Sequence, residues 1–333
     1  IEWFNKVDVY DLNNEELSEY YFKLGYSYFV KEDYERARKL FYEIKESDTK
    51  YSNPATYYYS HISYLNNNYE TALQGFEKLS TGGSFQSVVP YYIAQIYYLQ
   101  KKYEKLIEYA QPLLDSANRS SEASAQVGNK RIPEIARLIG ESYYATDQYE
   151  KAIPYLKRYL DEAPHIVRSD VYQLAYAYYK IEDYTKAVNL FKQVVNQQDL
   201  LAHHAYYHLA YCYFLNGDKE FARLTFRTAS KMEFDLNIQE DAAFNYAKLS
   251  YDLNLNPIFA LTGYIEKYPE NTRVEEAYEY LSTVYFTTKN YKKALQALDK
   301  ITDKNIKLKE AYQRIAYNRG VELFNDENMQ DMQ

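Results

Sequence analysis

The fold is decided by residues 21–41, which read YFKLGYSYFVKEDYERARKLF. The first half places apolar or small residues three or four positions apart, at Tyr21, Leu24, Gly25 and Tyr28. This spacing predicts one face of an α-helix. After a polar turn at 31–33, the same spacing returns at Tyr34, Ala37, Phe41 and Ile44. The stretch therefore predicts two helices joined by a tight turn.

The start of the second helix recurs along the chain. A tyrosine followed three residues later by a small residue or leucine is found at Tyr34/Ala37, Tyr69/Ala72, Tyr103/Leu106, Tyr149/Ala152, Tyr184/Ala187 and Tyr291/Ala294. Most steps between these tyrosines are 34 or 35 residues, but the steps after Tyr103 and Tyr184 are 46 and 107 residues. A period of this size indicates a solenoid of two-helix units, each buried against its neighbours.

Two packing positions repeat with the same period. The first helices carry a small residue, which we call the slot, at Gly25, Ser60, Ala94, Gly140, Ala175, Ala210, Ser282 and Gly320. The second helices carry a large apolar residue at Phe41, Phe76, Phe191 and Phe226, with Ala110, Leu156 and Leu298 as substitutes. Helices about 8–10 Å apart need such a slot to admit a neighbouring side chain. The slots therefore predict where helices cross.

The combined pattern, Tyr-x2-Leu-Gly-x2-Tyr followed by Ala-x3-Phe and often Pro, is similar to the tetratricopeptide repeat (TPR). The similarity covers nearly the whole chain. The tryptophan that the family favours in its first helix is replaced by Tyr21, Val171, Tyr206 or Tyr278. The resemblance implies an all-α fold, a right-handed superhelix of antiparallel helix hairpins. Long tyrosine-rich arrays of this kind also resemble repeat proteins of Gram-negative bacterial envelopes, which favours a periplasmic or outer-membrane-associated location over a cytoplasmic one.

The repeat predicts a single solenoid over residues 1–333 with about eight units. Units are expected near 18–50, 53–86, 87–132, 133–167, 168–202, 203–237 and 275–305, with a degenerate unit at 238–270, a partial unit at 1–12 and an unpaired helix at 306–325. Residues 115–131 form a long connector, either a surface segment with a helical extension through Ser121–Val127 or a loop that touches a partner. The incomplete ends predict a piece of a longer repeat protein or self-association through uncapped ends.

The resemblance also implies a concave groove lined by the first helices. Its lining positions lie one and four residues after the slot and three residues before it. The predicted partner-binding residues are Tyr26, Phe29, Tyr57, His61, Tyr64, Tyr91, Tyr98, Arg137, Tyr144, Tyr172, Tyr176, Tyr179, Tyr207, Tyr211 and Phe214. Tyrosine combines a large contact area with a hydroxyl at low entropic cost. Two interpretations stay open: the rings bind a partner, or they fill the groove by packing on each other.

The expected function is a non-catalytic protein–protein interaction scaffold. Its ligand would be a peptide or a partner protein, of a kind that the sequence does not identify, held in the aromatic groove. Two alternatives remain. One is a glycan-binding repeat protein of the cell envelope, whose rings stack on sugars, and the other is a regulatory TPR region of a larger enzyme.

The composition of the chain limits the kinds of partner and environment that we expect. The formal net charge is −8 and the pI is about 5.4, with basic and acidic residues interleaved, so nucleic acid is not an expected partner. No apolar run reaches the ~18 residues that a membrane span needs. The single cysteine, Cys212, lies in an apolar helical run and is expected to be a small buried side chain.

No catalytic constellation is found in the sequence. His204 and His208 have a spacing that can bind zinc, but no third ligand is evident, so a polar helix start is favoured. The loop at 81–84 lacks the Gly-Lys-Ser/Thr of a phosphate-binding loop. Acidic pairs are expected at helix starts, where they favour the helix dipole, at Glu15/Glu16, Glu240/Asp241 and Glu275/Glu276. No enzyme activity, metal or cofactor is therefore predicted.

Overall fold

The structure is a computed structural model that describes residues 1–2, 4–119, 131–302, 304 and 306–330. Within these ranges all regular secondary structure is helical. The seventeen α-helices of the described residues are α1 (Asn14–Val30), α2 (Tyr34–Ile44), α3 (Ser52–Leu65), α4 (Tyr69–Ser80), α5 (Val89–Leu99), α6 (Tyr103–Arg119), α7 (Ile132–Ala145), α8 (Tyr149–Glu162), α9 (Arg168–Lys180), α10 (Tyr184–Val194), α11 (Leu200–Leu215), α12 (Lys219–Ala229), α13 (Leu236–Asp252), α14 (Pro257–Lys267), α15 (Val274–Thr287), α16 (Tyr291–Asp299) and α17 (Ile306–Gln330). None of the helices in this part of the chain has both the length and the apolar character that crossing a bilayer requires.

The chain divides into two compact units, Ile1–His165 and Ile166–Gln333. In the first unit α1/α2, α3/α4, α5/α6 and α7/α8 form hairpins, and α2, α4 and α6 also pack against the first helix of the next pair in that unit. In the second unit α9/α10, α11/α12, α13/α14 and α15/α16 are arranged in the same way, and α17 packs against α16. The prediction of an all-α fold of helix hairpins is confirmed, while the proposed boundaries of one continuous array stay a prediction.

The turns inside the hairpins share one backbone conformation. In the first hairpin Glu32 is left-handed, with φ of 61°, and the Asp33 N–H donates to the Tyr28 carbonyl at 3.0 Å. The Asp33 carboxylate accepts a hydrogen bond from the Arg36 N–H at 3.2 Å and caps α2. Asp183 caps α10 in the same way. A short polar residue just before the second-helix tyrosine therefore helps to end one helix and start the next.

Seven of the eight predicted slots are buried: Gly25, Ser60, Ala94, Gly140, Ala175, Ala210 and Ser282. Among the glycine slots the approach is closest at Gly140, where a Cβ atom would lie 2.9 Å from Leu156 Cδ2 and 3.1 Å from the Leu156 backbone nitrogen. The slot prediction is wrong at Gly320, which is exposed and has no atom within 4 Å of its Cβ position. Ala316 follows the buried Ile315 and lies 34 residues after Ser282, so it holds the slot register in α17.

Two other stretches differ from the expectation. Phe4–Lys6 and Val9–Asp11 are short 3-10 helices instead of the second α-helix of a partial unit. Asp8 accepts a hydrogen bond from the Tyr10 N–H, which starts the second turn and interrupts a longer helix. The connector predicted at 115–131 begins inside a helix, because α6 continues to Arg119. The helical extension predicted through Ser121–Val127 lies outside the described residues.

The degenerate repeat keeps its helix pair without the Tyr/Ala signal. Asn254 and Asn256 are both left-handed, with φ of 53° and 54°, and Pro257 is the first residue of α14. Asparagine tolerates this conformation better than most residues, and proline is well suited to the first turn of a helix. Tyr264 of α14 is buried, and its hydroxyl donates to Glu240 on α13. The two left-handed asparagines, Pro257 and a part-buried hydrogen bond between the helices are thus found where the Tyr/Ala pair is missing.

Candidate functional site

The first helices of the first unit bring predicted groove residues into ring contact. On α1, Tyr26 and Phe29 have ring centroids 6.4 Å apart, and Phe29 lies 5.8 Å from His61 on α3. The His61 ring is nearly parallel to Tyr57 at 5.9 Å and to Tyr64 at 6.3 Å. These five rings form one contiguous surface over two hairpins, which we call the first ring surface.

Tyr58, which the sequence analysis did not assign to the groove, braces this surface. Its ring lies 5.4 Å from Tyr26 and 5.0 Å from Phe29. The same ring stacks on Phe41 at 5.4 Å, with an interplanar angle of 19°. Because Phe41 belongs to the second helix of the preceding hairpin, Tyr58 connects the groove rings to the core between hairpins.

Tyr92 has the same role one hairpin further along. Its ring stacks on Phe76 at 5.2 Å, as Tyr58 does on its own phenylalanine. Both tyrosines lie two residues before a slot, Ser60 or Ala94. We call this the brace position. An aromatic residue at a fixed offset from the slot is a signal that the sequence contained and that the groove prediction missed.

Tyr91 and Tyr144 lie further along the first unit. Tyr91 contacts Tyr92 edge-on at 5.6 Å, and the Arg131 guanidinium lies 4.5 Å from the Tyr91 ring centroid. Tyr144 contacts Tyr149 of its own hairpin at 5.3 Å. Tyr91 is thus continuous with the first ring surface through its neighbour Tyr92, which contacts His61 at 5.3 Å.

Arg137 and Tyr98 are joined by an acidic residue. The Arg137 guanidinium is 3.2 Å from the Glu141 carboxylate, one turn later on α7. Burial, with a smaller contribution from Glu141, raises the pKa of Tyr98 to about 12. Burial likewise raises the pKa of Tyr64 to about 12. Both phenols therefore stay protonated at neutral pH and keep their capacity to donate a hydrogen bond.

The second unit has a corresponding set of rings. Along α9, Tyr172 and Tyr176 are 6.2 Å apart, and Tyr176 and Tyr179 are 5.8 Å apart. His208 of α11 lies 5.0 Å from Tyr176 and stacks on Phe191 at 5.9 Å, with an interplanar angle of 21°. With Tyr207 and Tyr211, which are 5.0 Å apart, these residues form the second ring surface. His208 occupies the brace position of this unit, two residues before Ala210.

The expectation that His204 and His208 mark a polar helix start is wrong for His208. That residue lies in the third turn of α11 among aromatic rings, and burial lowers its pKa to about 4. His204 lies apart from it, with its Nε2 atom 3.4 Å from Asp235 Oδ2. Among the described residues no group of three or more His, Cys, Asp or Glu side chains is placed to hold a metal ion. Cys212 is fully buried as expected, and burial raises the pKa of its thiol to about 12.

A carboxylate on α13 ties the second ring surface to the next hairpins. Asp241 Oδ2 accepts hydrogen bonds from the Tyr207 hydroxyl at 2.7 Å and the Tyr211 hydroxyl at 3.0 Å. Asn245 donates to the same oxygen at 2.9 Å, and Arg273 pairs with Oδ1 at 2.6 Å. Burial and the hydrogen bond to Asp241 raise the pKa of Tyr207. The network fixes both phenols in place.

Asp241 also corrects the expectation for the acidic pairs. Glu240 and Asp241 lie in the second turn of α13, which begins at Leu236, so their role is not at the helix start. The other two pairs do lie in the first turns of α1 and α15, at Glu15/Glu16 and Glu275/Glu276. The side chain of Glu16 completes a capping box with Asn13.

The exposure of the predicted groove residues is uneven. Tyr26 and Phe214 are 43% and 40% exposed, whereas the other thirteen are half-buried. Most of these rings contact one another or a brace residue, so packing explains part of the aromatic content. Tyr26 keeps free surface within the first ring surface, and Phe214 keeps free surface on α11, the helix that also carries Tyr207 and Tyr211.

The chain was compared with known proteins. Two family models described as tetratricopeptide repeat match residues 138–165 and 172–231. No curated protein matches the chain. Among solved structures, the C-terminal part of a TPR repeat-containing protein from Cytophaga hutchinsonii is 16% identical, with 87% of this chain and 98% of that chain covered and a TM-score of 0.45.

Two further solved structures are similar. A tetratricopeptide repeat protein from Parabacteroides merdae is 13% identical, with 79% of this chain and 98% of that chain covered and a TM-score of 0.44. YrrB, described as a TPR protein with an unusual peptide-binding site, is 15% identical, with 60% and 98% covered and a TM-score of 0.42.

The matched residues coincide with the hairpins of the structure. Residues 138–165 span most of α7 and all of α8, and residues 172–231 run from α9 to the end of α12. Proteins built from these repeats are generally non-catalytic. The family models and the succession of helix hairpins agree that residues 138–165 and 172–231 are tetratricopeptide repeats.

Proposed function

We propose that the two ring surfaces bind a peptide segment of a partner protein through aromatic contacts. The tetratricopeptide-repeat fold suggests a protein–protein interaction scaffold with protein or peptide partners. The two ring surfaces also favour ligands of a particular chemistry. They offer aromatic faces and phenol hydroxyls, which suit apolar side chains flanked by backbone amides.

The observation that carries the proposal is the combination of braced rings with exposed ones. Tyr26 is 43% exposed yet lies 5.4 Å from Tyr58, whose own ring is held on Phe41. Phe214 is 40% exposed on α11, the helix that also carries Tyr207 and Tyr211. A side chain that is already ordered loses little entropy when a ligand arrives, so the contact area converts to affinity more efficiently.

The test uses a random peptide library displayed on phage and selected on the protein. Peptides that are enriched are synthesised with a fluorophore, and their Kd is measured by fluorescence anisotropy. The Tyr26→Ala variant removes an exposed ring of the first ring surface, and the Phe214→Ala variant removes an exposed ring from α11, the helix that carries Tyr207 and Tyr211. Because a buried aromatic contact in an interface is often worth about 1–2 kcal/mol, the Kd should rise roughly five- to thirtyfold in the variant of the surface that is used.

The chain offers matched controls on its second helices. Tyr42 of α2 is 57% exposed and Phe259 of α14 is 69% exposed, so Tyr42→Ala and Phe259→Ala remove rings of the same kind elsewhere. The Kd should be unchanged in both controls. The proposal fails if no peptide is enriched, or if the control variants weaken binding as much as Tyr26→Ala and Phe214→Ala do.

A further inference from the structure

An open notch lies in the second unit and shares no lining residue with the ring surfaces. It has a volume of about 790 Å³ and is formed by the segment between α10 and α11 and the segment between α12 and α13. Its lining includes the ring residues Tyr206 and Phe234 and three consecutive amide side chains, Asn196, Gln197 and Gln198. The volume lies in the ~300–1,000 Å³ range of small-molecule sites.

The side of the notch that carries the amides is held in place by Arg168, which does not itself line the notch. The Arg168 guanidinium donates to the Val194 carbonyl at 3.0 Å from Nε and at 2.6 Å from Nη2. The same group donates to the Gln197 amide oxygen at 2.7 Å and pairs with Asp199, which caps α11. One arginine thus fixes both ends of the amide segment, so the notch is shaped before any ligand arrives.

Two of the amides remain available for a ligand. Asn196 and Gln198 are exposed, and neither side chain has a hydrogen-bond partner within the part of the chain that the structure describes. Each amide offers a donor and an acceptor side by side. That pairing matches neighbouring hydroxyl groups, which also donate and accept.

Aromatic surface lines the other side. Phe234 is 50% exposed, and its ring is positioned by an edge-on contact with His203 at 6.4 Å. The Tyr206 hydroxyl donates to the Val195 carbonyl at 3.3 Å, which positions that ring as a wall of the notch. The charged lining residues are Lys231 and Glu233, so their formal charges cancel. The site therefore suits an uncharged ligand with both C–H faces and hydroxyl groups.

We propose that this notch binds a neutral sugar residue, with Asn196 and Gln198 contacting its hydroxyls and Phe234 stacking on its C–H face. The site is separate from the ring surfaces and does not depend on the proposed peptide binding. A second notch, of about 530 Å³, lies between the segments that precede α15 and α17. It contains Tyr278 in place of Tyr206, but its one amide, Asn271, already accepts a hydrogen bond from the Arg273 N–H. Its charged lining residues, Glu270, Glu275 and Lys300, leave a net negative formal charge. The difference in lining marks the first notch as the one suited to a neutral polyol.

The experiment is saturation-transfer difference NMR with methyl glucoside, methyl galactoside and N-acetylglucosamine as neutral probes, and glucuronic acid and glucose 6-phosphate as charged ones. At least one neutral probe should receive saturation from the protein, and the charged probes should receive less. Since an aromatic stack or a hydrogen bond contributes about 0.5–1.5 kcal/mol, Phe234→Ala and Gln198→Ala should each raise the Kd of that probe roughly two- to tenfold.

Leu236→Ala provides the matched control, because Leu236 is 70% exposed and lies two residues from Phe234 without lining the notch. Tyr26→Ala and Phe214→Ala control for sugar stacking on the ring surfaces. All three should leave the Kd unchanged. The proposal is overturned if no neutral probe receives saturation, if charged probes bind as well, or if a ring-surface variant alone removes the signal. Peptide binding can succeed or fail independently of each of these outcomes.

Discussion

Replacing Gly140 with alanine should destabilise the protein, although alanine is the better helix former. Gly140 lies inside α7, where the added methyl group would sit 2.9 Å from Leu156 Cδ2 and Cγ. Carbon atoms attract best at about 3.5–4.0 Å, so this contact is strongly repulsive. The Leu156 backbone nitrogen at 3.1 Å also limits relief by a rotamer change. The hairpin of α7 and α8 must therefore open slightly.

The expected magnitude comes from two opposing contributions. Glycine to alanine in a helix interior gains about 0.8–1.0 kcal/mol. Overpacking a buried crossing costs about 1–3 kcal/mol. Gly140→Ala should thus lower the free energy of unfolding by up to about 2 kcal/mol. Gly263→Ala is the matched control, because Gly263 lies inside α14 with no atom within 4 Å of its Cβ position, and it should gain about 1 kcal/mol.

The assay is thermal and urea unfolding followed by circular dichroism. With ~2–4 °C of melting temperature per kcal/mol, the two variants should differ by about 2–12 °C, with wild type between them or close to Gly140→Ala. Repeat arrays often unfold hairpin by hairpin, so hydrogen exchange of α7 and α8 amides should show whether the loss is local. If Gly140→Ala were as stable as Gly263→Ala, the close crossing at the slot would be refuted.

Three further outcomes follow from the structure. Burial lowers the pKa of His208 from 6.5 to about 4. As the pH falls, the unfolded state therefore binds the proton first, and the free energy of unfolding of the wild type should fall by up to about 1.4 kcal/mol per pH unit between pH 6.5 and 4. His208→Tyr introduces the residue type found at Tyr58 and Tyr92, and it should lessen this fall in urea titrations at pH 7 and pH 5. An equal fall in both proteins would contradict the account. Glu182 has a left-handed backbone with φ of 64°, and Gly217 has one with φ of 86°. Glu182→Gly should therefore raise the melting temperature by relieving about 1 kcal/mol of backbone strain, whereas Gly217→Ala should introduce such strain and lower it. Asp241→Ala should cost about 1–3 kcal/mol in urea unfolding, because Arg273 and two phenols lose their shared acceptor, and Asp241→Asn should cost less.

Much of the fold was predictable because its determinants are local and periodic. The spacing of apolar residues three or four positions apart predicts the helices, and the 34-residue period predicts the hairpins. The slot prediction failed at Gly320 because Ala316 is also small, and residue size alone does not choose between them. Only the burial of Ile315 decides the register of α17.

The site was less predictable because its contacts join distant residues. Tyr207 and Arg273 meet at Asp241 from 34 and 32 residues away, and that meeting depends on how far successive hairpins rotate. Periodicity does not encode this rotation. The brace residues are a different case: an aromatic ring two positions before the slot is visible in the sequence, and its role became clear only from the stack on Phe41.

The brace position has a consequence for dissecting the protein. Tyr26 and Phe29 are on α1, but the tyrosine that orders them is on α3, beyond the end of their own hairpin. A fragment that stops after α2 would keep the contacts of Phe29 with Tyr34 and of Tyr26 with Phe22 but would lose the contacts with Tyr58, so the two rings should be less ordered. Under the proposed function, two consecutive hairpins should therefore be the smallest portion that binds a peptide, and the affinities of single hairpins should not add up to that of the intact chain.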